Sequence, residues 1–224
     1  MDEKNAHSAF MSALTTEHLV LQNAATATVS DAAARSSLYV FALSSSLVAI
    51  SFTSRSPSIF VPFVAIVLPG LFLCGLLTIV RLIDTALENL RYLEGIARIR
   101  SYYRTLTPEA AKYFAVHHGR WPERQDEPSL EHGPLFALFT TSAGTVAIVN
   151  NMVAGVGAAL LTGKLTGGRG WIGFPLAAGA VVMVTLTLAF VLYERWRFRA
   201  VNDTTARDEH NESHRPQSTQ ANSR

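Results

Sequence analysis

The chain predicts an all-α, polytopic membrane protein with four transmembrane helices arranged as two hairpins and joined by a cytoplasmic helical stem. Three observations carry this expectation. All 36 Lys, Arg, Asp and Glu side chains and all seven histidines lie outside four apolar stretches, 36 to 54, 56 to 80, 133 to 163 and 170 to 193. With interfacial residues trimmed, each stretch is close to the ~20 apolar residues that a helix needs to cross a ~30 Å hydrocarbon core. Charged residues make up 16% of the chain and gather in three blocks, 1 to 35, 81 to 132 and 194 to 224, where a soluble domain spreads roughly 25% over its whole surface. Arginines flank the spans unevenly, with Arg35, Arg81, Arg91, Arg98, Arg100, Arg195, Arg197 and Arg199 on one side and Arg55, Lys164 and Arg169 on the other. The positive-inside bias therefore puts both termini and the central region in the cytoplasm.

The amino-terminal segment carries Asp2, Glu3, Glu17 and Asp31, unlike the basic start of a cleavable signal peptide, so the first span is expected to be retained. Residues 12 to 35 read as partly helical, with an interruption at the β-branched run near Thr26 to Val29. The first span, 36 to 54, has Tyr39 near its start and a small polar face at Ser44, Ser45 and Ser46, and Arg55-Ser-Pro57 forms a tight turn after it. The second span, 56 to 80, contains Pro62 and Pro69-Gly70. A proline removes a backbone donor and crowds the carbonyl one turn back, so a kink is expected near Pro69.

Helical periodicity continues past Arg81. Leu82, Ile83, Ala86, Leu87, Leu90, Leu93, Ile96 and Ala97 recur at spacings of three and four, with Asp84, Glu88, Arg91, Glu94 and Arg98 largely opposite. This predicts a stem to about Tyr103 with Leu87, Leu90 and Leu93 as its interaction stripe. The stripe requires cover from the amino-terminal helix, the 108 to 132 segment or another copy of the chain. Thr107-Pro108-Glu109 predicts a helix start with Thr107 as N-cap and Pro108 at the first helical position. Trp121-Pro122 and the acids Glu123, Asp126, Glu127 and Glu131 follow as an exposed loop.

The third span, 133 to 163, carries the adjacent amides Asn150 and Asn151, which with Ser45 are the candidate intramembrane polar contacts. Interhelical hydrogen bonds of this kind contribute roughly 0.6 to 2 kcal/mol each, and small residues such as Gly144, Ala147, Ala154, Gly155 and Gly157 let backbones approach. The fourth span, 170 to 193, starts at Trp171, ends at Tyr193 and Trp196, and has a small-residue pair at Gly173 and Ala177. Glu194-Arg195-Trp-Arg197-Phe-Arg199 reads as a basic-aromatic anchor. Residues 201 to 224 have no apolar periodicity and are expected to be a disordered tail.

Stretches so free of charge constrain function. Proton-coupled carriers keep Asp, Glu, His, Lys or Arg inside the bundle, and none of the four segments has one. The lone Cys74 excludes an intrachain disulfide and a cysteine-based zinc site. His117 and His118 are adjacent and lack metalloprotease spacing, and no Gly-x-Ser-x-Gly element occurs. No catalytic residue, cofactor, metal or nucleic-acid partner is therefore expected. The expected role is a non-enzymatic interaction, sensory or effector module acting through the cytoplasmic helices, with the bilayer and a homo-oligomer or cytoplasmic protein as partners. The alternative is a small passive channel or uncoupled carrier lined by Ser44 to Ser46, Thr140 to Ser142, Asn150 and Asn151.

Thr15-Thr-Glu-His-Leu-Val-Leu-Gln22, Asp31-Ala-Ala-Ala-Arg35, the serine-rich first span and Arg98-Ile-Arg-Ser-Tyr-Tyr103 together resemble a family of small uncharacterised bacterial integral membrane proteins. The likeness covers roughly the first half of the chain. It implies a bacterial plasma membrane and brings no activity and no catalytic residues. The paired spans and stem are also similar in architecture to small membrane effectors of bacterial conflict systems.

Overall fold

The computed structural model describes residues 3–113, 141–167 and 172–213, and it is helical almost throughout. Its elements are α1 (Glu3–Thr53), α2 (Pro57–Leu106), the short α3 (Ala110–Tyr113), α4 (Ser142–Leu165) and α5 (Gly173–Ser213). Among the described residues, four helices (α1, α2, α4 and the Gly173–Phe198 part of α5) are long and apolar enough to cross a membrane.

The amino-terminal segment and the first span form one helix of 51 residues. The expected interruption at Thr26 to Val29 is absent because its threonines satisfy themselves. Thr26 donates its hydroxyl to the Gln22 carbonyl at 2.9 Å and Thr28 donates to that of Ala25 at 2.7 Å. The helix penalty of a β-branched residue is only a few tenths of a kcal/mol. Burial of Thr28 and packing of its neighbours against α2 outweigh it.

After a turn in which Ser56 N–H bonds to the Thr53 carbonyl, Pro57 opens α2 at its first turn, and the helix stays unbroken through Pro62 and Pro69 for 50 residues. At 1.5 Å per residue α1 and α2 are each about 75 Å long, more than twice a hydrocarbon core. Both must therefore extend well past any span they contain.

These two helices pack along that extra length. Leu21 lies at Gly95, Thr28 at Asn89 and Tyr39 at Gly75, so positions fall along α2 as they rise along α1 and the helices run antiparallel. On α1 the covered positions Leu14, His18, Leu21, Ala25, Thr28 and Ala32 alternate steps of four and three, and on α2 Leu82, Asn89, Ile96 and Tyr103 recur every seven. This is the seam of a coiled coil. The seam face of the apolar stripe beyond Arg81 is thus covered by the chain's own amino-terminal helix, while Ile83 and Leu87 are buried in a core shared with Ala143, Val146 and Phe190.

The N-cap of α4 is Thr141, whose hydroxyl accepts from Gly144 N–H at 3.0 Å. This helix and α5 meet at glycines. A Cβ on Gly155 would lie 2.8 Å from the Gly179 carbonyl oxygen, and one on Gly179 would lie 3.0 Å from Ala159 Cβ. The small-residue contact expected at Gly173 and Ala177 falls one turn away, because Ala177 points outward and Gly179 is buried between Gly155 and Ala159. As expected, the Thr107 hydroxyl caps α3, accepting from Ala110 N–H at 3.0 Å. Phe114, the loop to residue 132 and the start of the third span, with Phe136 and Phe139, lie outside the described residues.

One boundary differs from the sequence expectation. The fourth span continues as helix to Ser213, so residues 201–213 are helical rather than tail, since extension of an existing helix adds one hydrogen bond per residue fixed without a new nucleus. Residues 214–224 lie outside the described ones. Apolar side chains cover the outside of the bundle, with Phe52 80% and Ile66 75% exposed and Phe41, Leu77 and Leu192 similar. Continuous apolar surface on this scale is foreign to a water-soluble monomer. The chain is a multi-pass α-helical membrane protein.

Candidate functional site

The polar centre of the bundle is built on two consecutive residues of α4. Successive helical positions are ~100° apart, so Asn150 and Asn151 address different neighbours. Asn150 is 1% exposed, and its amide oxygen accepts from the Tyr39 hydroxyl of α1 at 3.2 Å. Gly75 of α2 lies directly against the pair. A Cβ there would overlap the Asn150 amide and approach Tyr39 Cε2 to 2.8 Å. Asn151, also buried, donates from Nδ2 to the Thr187 hydroxyl of α5 at 3.1 Å, and Thr187 donates in turn to the Met183 carbonyl at 2.8 Å. One dipeptide therefore holds α4 to all three other long helices.

Burial of Tyr39 follows from the same arrangement, because a phenol enters an apolar core at low cost only when its O–H finds an acceptor. The Asn150 Nδ2, in contrast, is buried with no hydrogen-bond partner. An amide left in this state costs about 1–3 kcal/mol.

Ser45 does not join the group. It is exposed, and its hydroxyl donates to its own helix, to the carbonyls of Phe41 at 2.8 Å and Ala42 at 3.1 Å. Six residues separate it from Tyr39, which places it about 120° around the helix. Ser44 is exposed as well, whereas Ser46, seven residues from Tyr39 and so on the same side of α1, is half-buried. Thr141 is used as a cap, and Thr140 lies outside the described residues.

A second polar layer follows at the level of the flanking arginines. Asp84 of α2 accepts from Arg197 of α5, and both side chains are about a third exposed. On the surface Asp31 pairs with Arg35 at 2.9 Å and with Arg81 at 4.0 Å, and Arg81 reaches Glu88 at 3.5 Å. Exposed pairs of this kind contribute 0–1 kcal/mol each. Their importance is positional, since they mark where both long helix pairs leave the apolar region.

Along the stem, Leu87 is buried, Leu90 packs partly buried against the same core and Leu93 is half-buried. Thr28 donates to the Asn89 side-chain oxygen at 3.1 Å across the seam. Farther out, His18 Nε2 is 3.1 Å from Gln22 Nε2, while its Nδ1 is buried without a partner. Burial, and secondarily the Arg100 guanidinium, pull the His18 pKa below its ordinary value. Phe10 and Tyr102 stack edge to face at 5.6 Å beside it. Cys74 is exposed on the outer surface of α2. Among the described residues, no three His, Cys, Asp or Glu side chains come together as a metal site would require; His117, His118 and His132 lie outside them.

Sequence reasoning singled out the asparagines but missed their partners. Tyr39 carried a signal, a hydroxyl inside an apolar run, whereas Gly75 and Thr187 could be found only from helix pairing. Comparison with known proteins finds no matching family model, no matching curated protein and no matching solved structure.

Proposed function

We propose that this protein is a plasma-membrane interaction module, a bundle of two transmembrane hairpins that presents the antiparallel helices α1 and α2 as a stem on the cytoplasmic face. The observation that carries this reading is the continuous seam from Leu14 to Ala32 against Leu82 to Tyr103, which lies beyond the charge-free segments. A seam of this length contributes nothing to crossing a bilayer. It gives a rigid projection whose outer face, with Glu17, Arg91 and Arg98 exposed, is available to a cytoplasmic protein or a second copy. The bias of arginines toward that end supports a cytoplasmic orientation. The resemblance to small uncharacterised bacterial membrane proteins, and the separate architectural likeness to small membrane effectors, fit the same reading and name no partner.

A passive channel or uncoupled carrier is the second reading, and one observation favours it. The unpartnered Asn150 Nδ2 is a polar group in the membrane interior, the kind of residue that lines a path. Against it, Tyr39 and Gly75 close directly on the Asn150 side chain, and Ser44 and Ser45, which would extend a polar lining, are exposed on the outside of α1.

Photo-crosslinking amino acids placed at Val20 and Arg91, both exposed on the stem, test the proposal in living cells. The expected result is a discrete protein adduct from these positions and none from Leu77 on the apolar surface, together with no solute or ion flux in proteoliposomes. Lipid adducts alone, combined with a flux that Asn150→Leu abolishes, would favour the channel.

A further inference from the structure

Between α2 and α4 the outer surface of the bundle opens into an apolar groove of about 570 Å³. Phe60 and Phe72 bound it along α2, Leu68 and Gly157 form its floor, Leu161 closes one side, and Lys164 at the end of α4 is the one charged residue lining it. The twelve helical steps from Phe60 to Phe72 cover about 18 Å, close to half of a ~30 Å hydrocarbon core, so the groove is about as long as one leaflet is deep. Lys164 stands at the Phe60 end, exposed and with no ion pair among the described residues. Its ammonium is thus placed where the headgroup of a lipid lying in the groove would be.

We propose that this groove retains an acyl chain of an anionic glycerophospholipid, with the lipid phosphate paired to the Lys164 ammonium. The charge at its mouth selects this occupant over the helix of a second copy. Lysine at its mouth matches a phosphate and would have no partner in an apolar helix–helix contact. The inference rests on the multi-pass membrane character of the chain and is independent of the role of the stem.

Native mass spectrometry of the full chain in neutral detergent, titrated with dioleoyl phosphatidylglycerol or dioleoyl phosphatidylcholine, reads the site directly. A single cation near the headgroups should give about fivefold preference for the anionic lipid. Lys164→Gln, an exposed change that leaves the bundle intact, is expected to reduce the preference to parity, while Arg55→Gln in the other turn leaves it unchanged. Gly157→Phe should weaken binding of both lipids, since a Cβ there meets only Leu68 Cδ1 at 3.7 Å and a larger side chain enters the groove. Parity in the unmodified protein, or a preference that survives Lys164→Gln, would overturn the proposal. A dimer that Gly157→Phe separates would assign the groove to a second copy instead.

Discussion

Asn150 and Asn151 are adjacent in the chain, yet their substitutions should have different costs because they serve different helices. Asn151→Leu removes one hydrogen bond to Thr187, worth about 0.6–2 kcal/mol. Asn150→Leu loses the Tyr39 bond and leaves that hydroxyl without an acceptor, but it also removes the unpartnered Nδ2, so its net cost is expected to be no larger. Gly75→Val drives a branched side chain into both Asn150 and Tyr39, and overpacking of this kind costs about 1–3 kcal/mol or more. Unfolding in mixed micelles should therefore rank Gly75→Val as the most damaging of the three, and a harmless Gly75→Val would show that the three helices do not meet there. At His18 the expected effect is on pH dependence. Its folded-state pKa lies below the ordinary value, so between the two values the unfolded chain binds more protons. Stability is then complete above about pH 6.5 and falls as pH drops through that value toward the lowered pKa. Thermal melts at pH 7.5 and pH 5 should differ for the parent protein, and His18→Gln should narrow the difference.

At the level of elements, the α1–α2 seam makes a prediction that separates folding from assembly. Leu87 is buried in the main core, so Leu87→Asp places an unpaired charge there at a cost of several kcal/mol. Leu90→Asp, at a partly buried position, should cost less, and Glu88→Lys, whose carboxylate is 40% exposed and only reaches Arg81, should be mild. Because Leu87 is covered within the chain, in the core it shares with Ala143, Val146 and Phe190, Leu87→Asp should lower the melting temperature of the protein at any concentration. A loss confined to oligomerisation would mean that another copy covers the stripe. The apolar spans were legible in the sequence because exclusion of charge needs no knowledge of partners, and the stem was legible because its period of 3.6 continues past Arg81. Less visible was what each surface meets. The run from Thr26 to Val29 looked like a break, since the back-bonds to Gln22 and Ala25 and the burial of Thr28 are consequences of packing. The Ser45 hydroxyl looked like an interior polar group because the sequence alone does not say which face of α1 is buried, and it is the packing of Tyr39 against Gly75 and Asn150 that turns Ser45 outward. The contact at Gly155, Ala159 and Gly179 depends on the register of α4 against α5, which small residues alone do not specify.

For the whole molecule, the proposed topology of four spans returns both termini and the stem to one side of the membrane, with the turns near Ser56 and Thr166 on the other. The Asp84–Arg197 pair and the Asp31, Arg35, Arg81 and Glu88 group lie at the stem end of the bundle, the arginine-rich end that the proposed orientation places in the cytoplasm. Lys164 lies at the far end with the α4–α5 turn. Reversal of the orientation would place the stem outside the cytoplasm and remove the basis for a cytoplasmic partner. The most direct measurement is labelling of single introduced cysteines in whole cells with a membrane-impermeant thiol reagent, on a background in which Cys74 is replaced by alanine. Cysteines at Ser56 and Thr166 are expected to react, and cysteines at Ser12 and Ser129 to react only after the membrane is permeabilised. Labelling of Ser12 and Ser129 in intact cells, with Ser56 and Thr166 protected, would contradict the account.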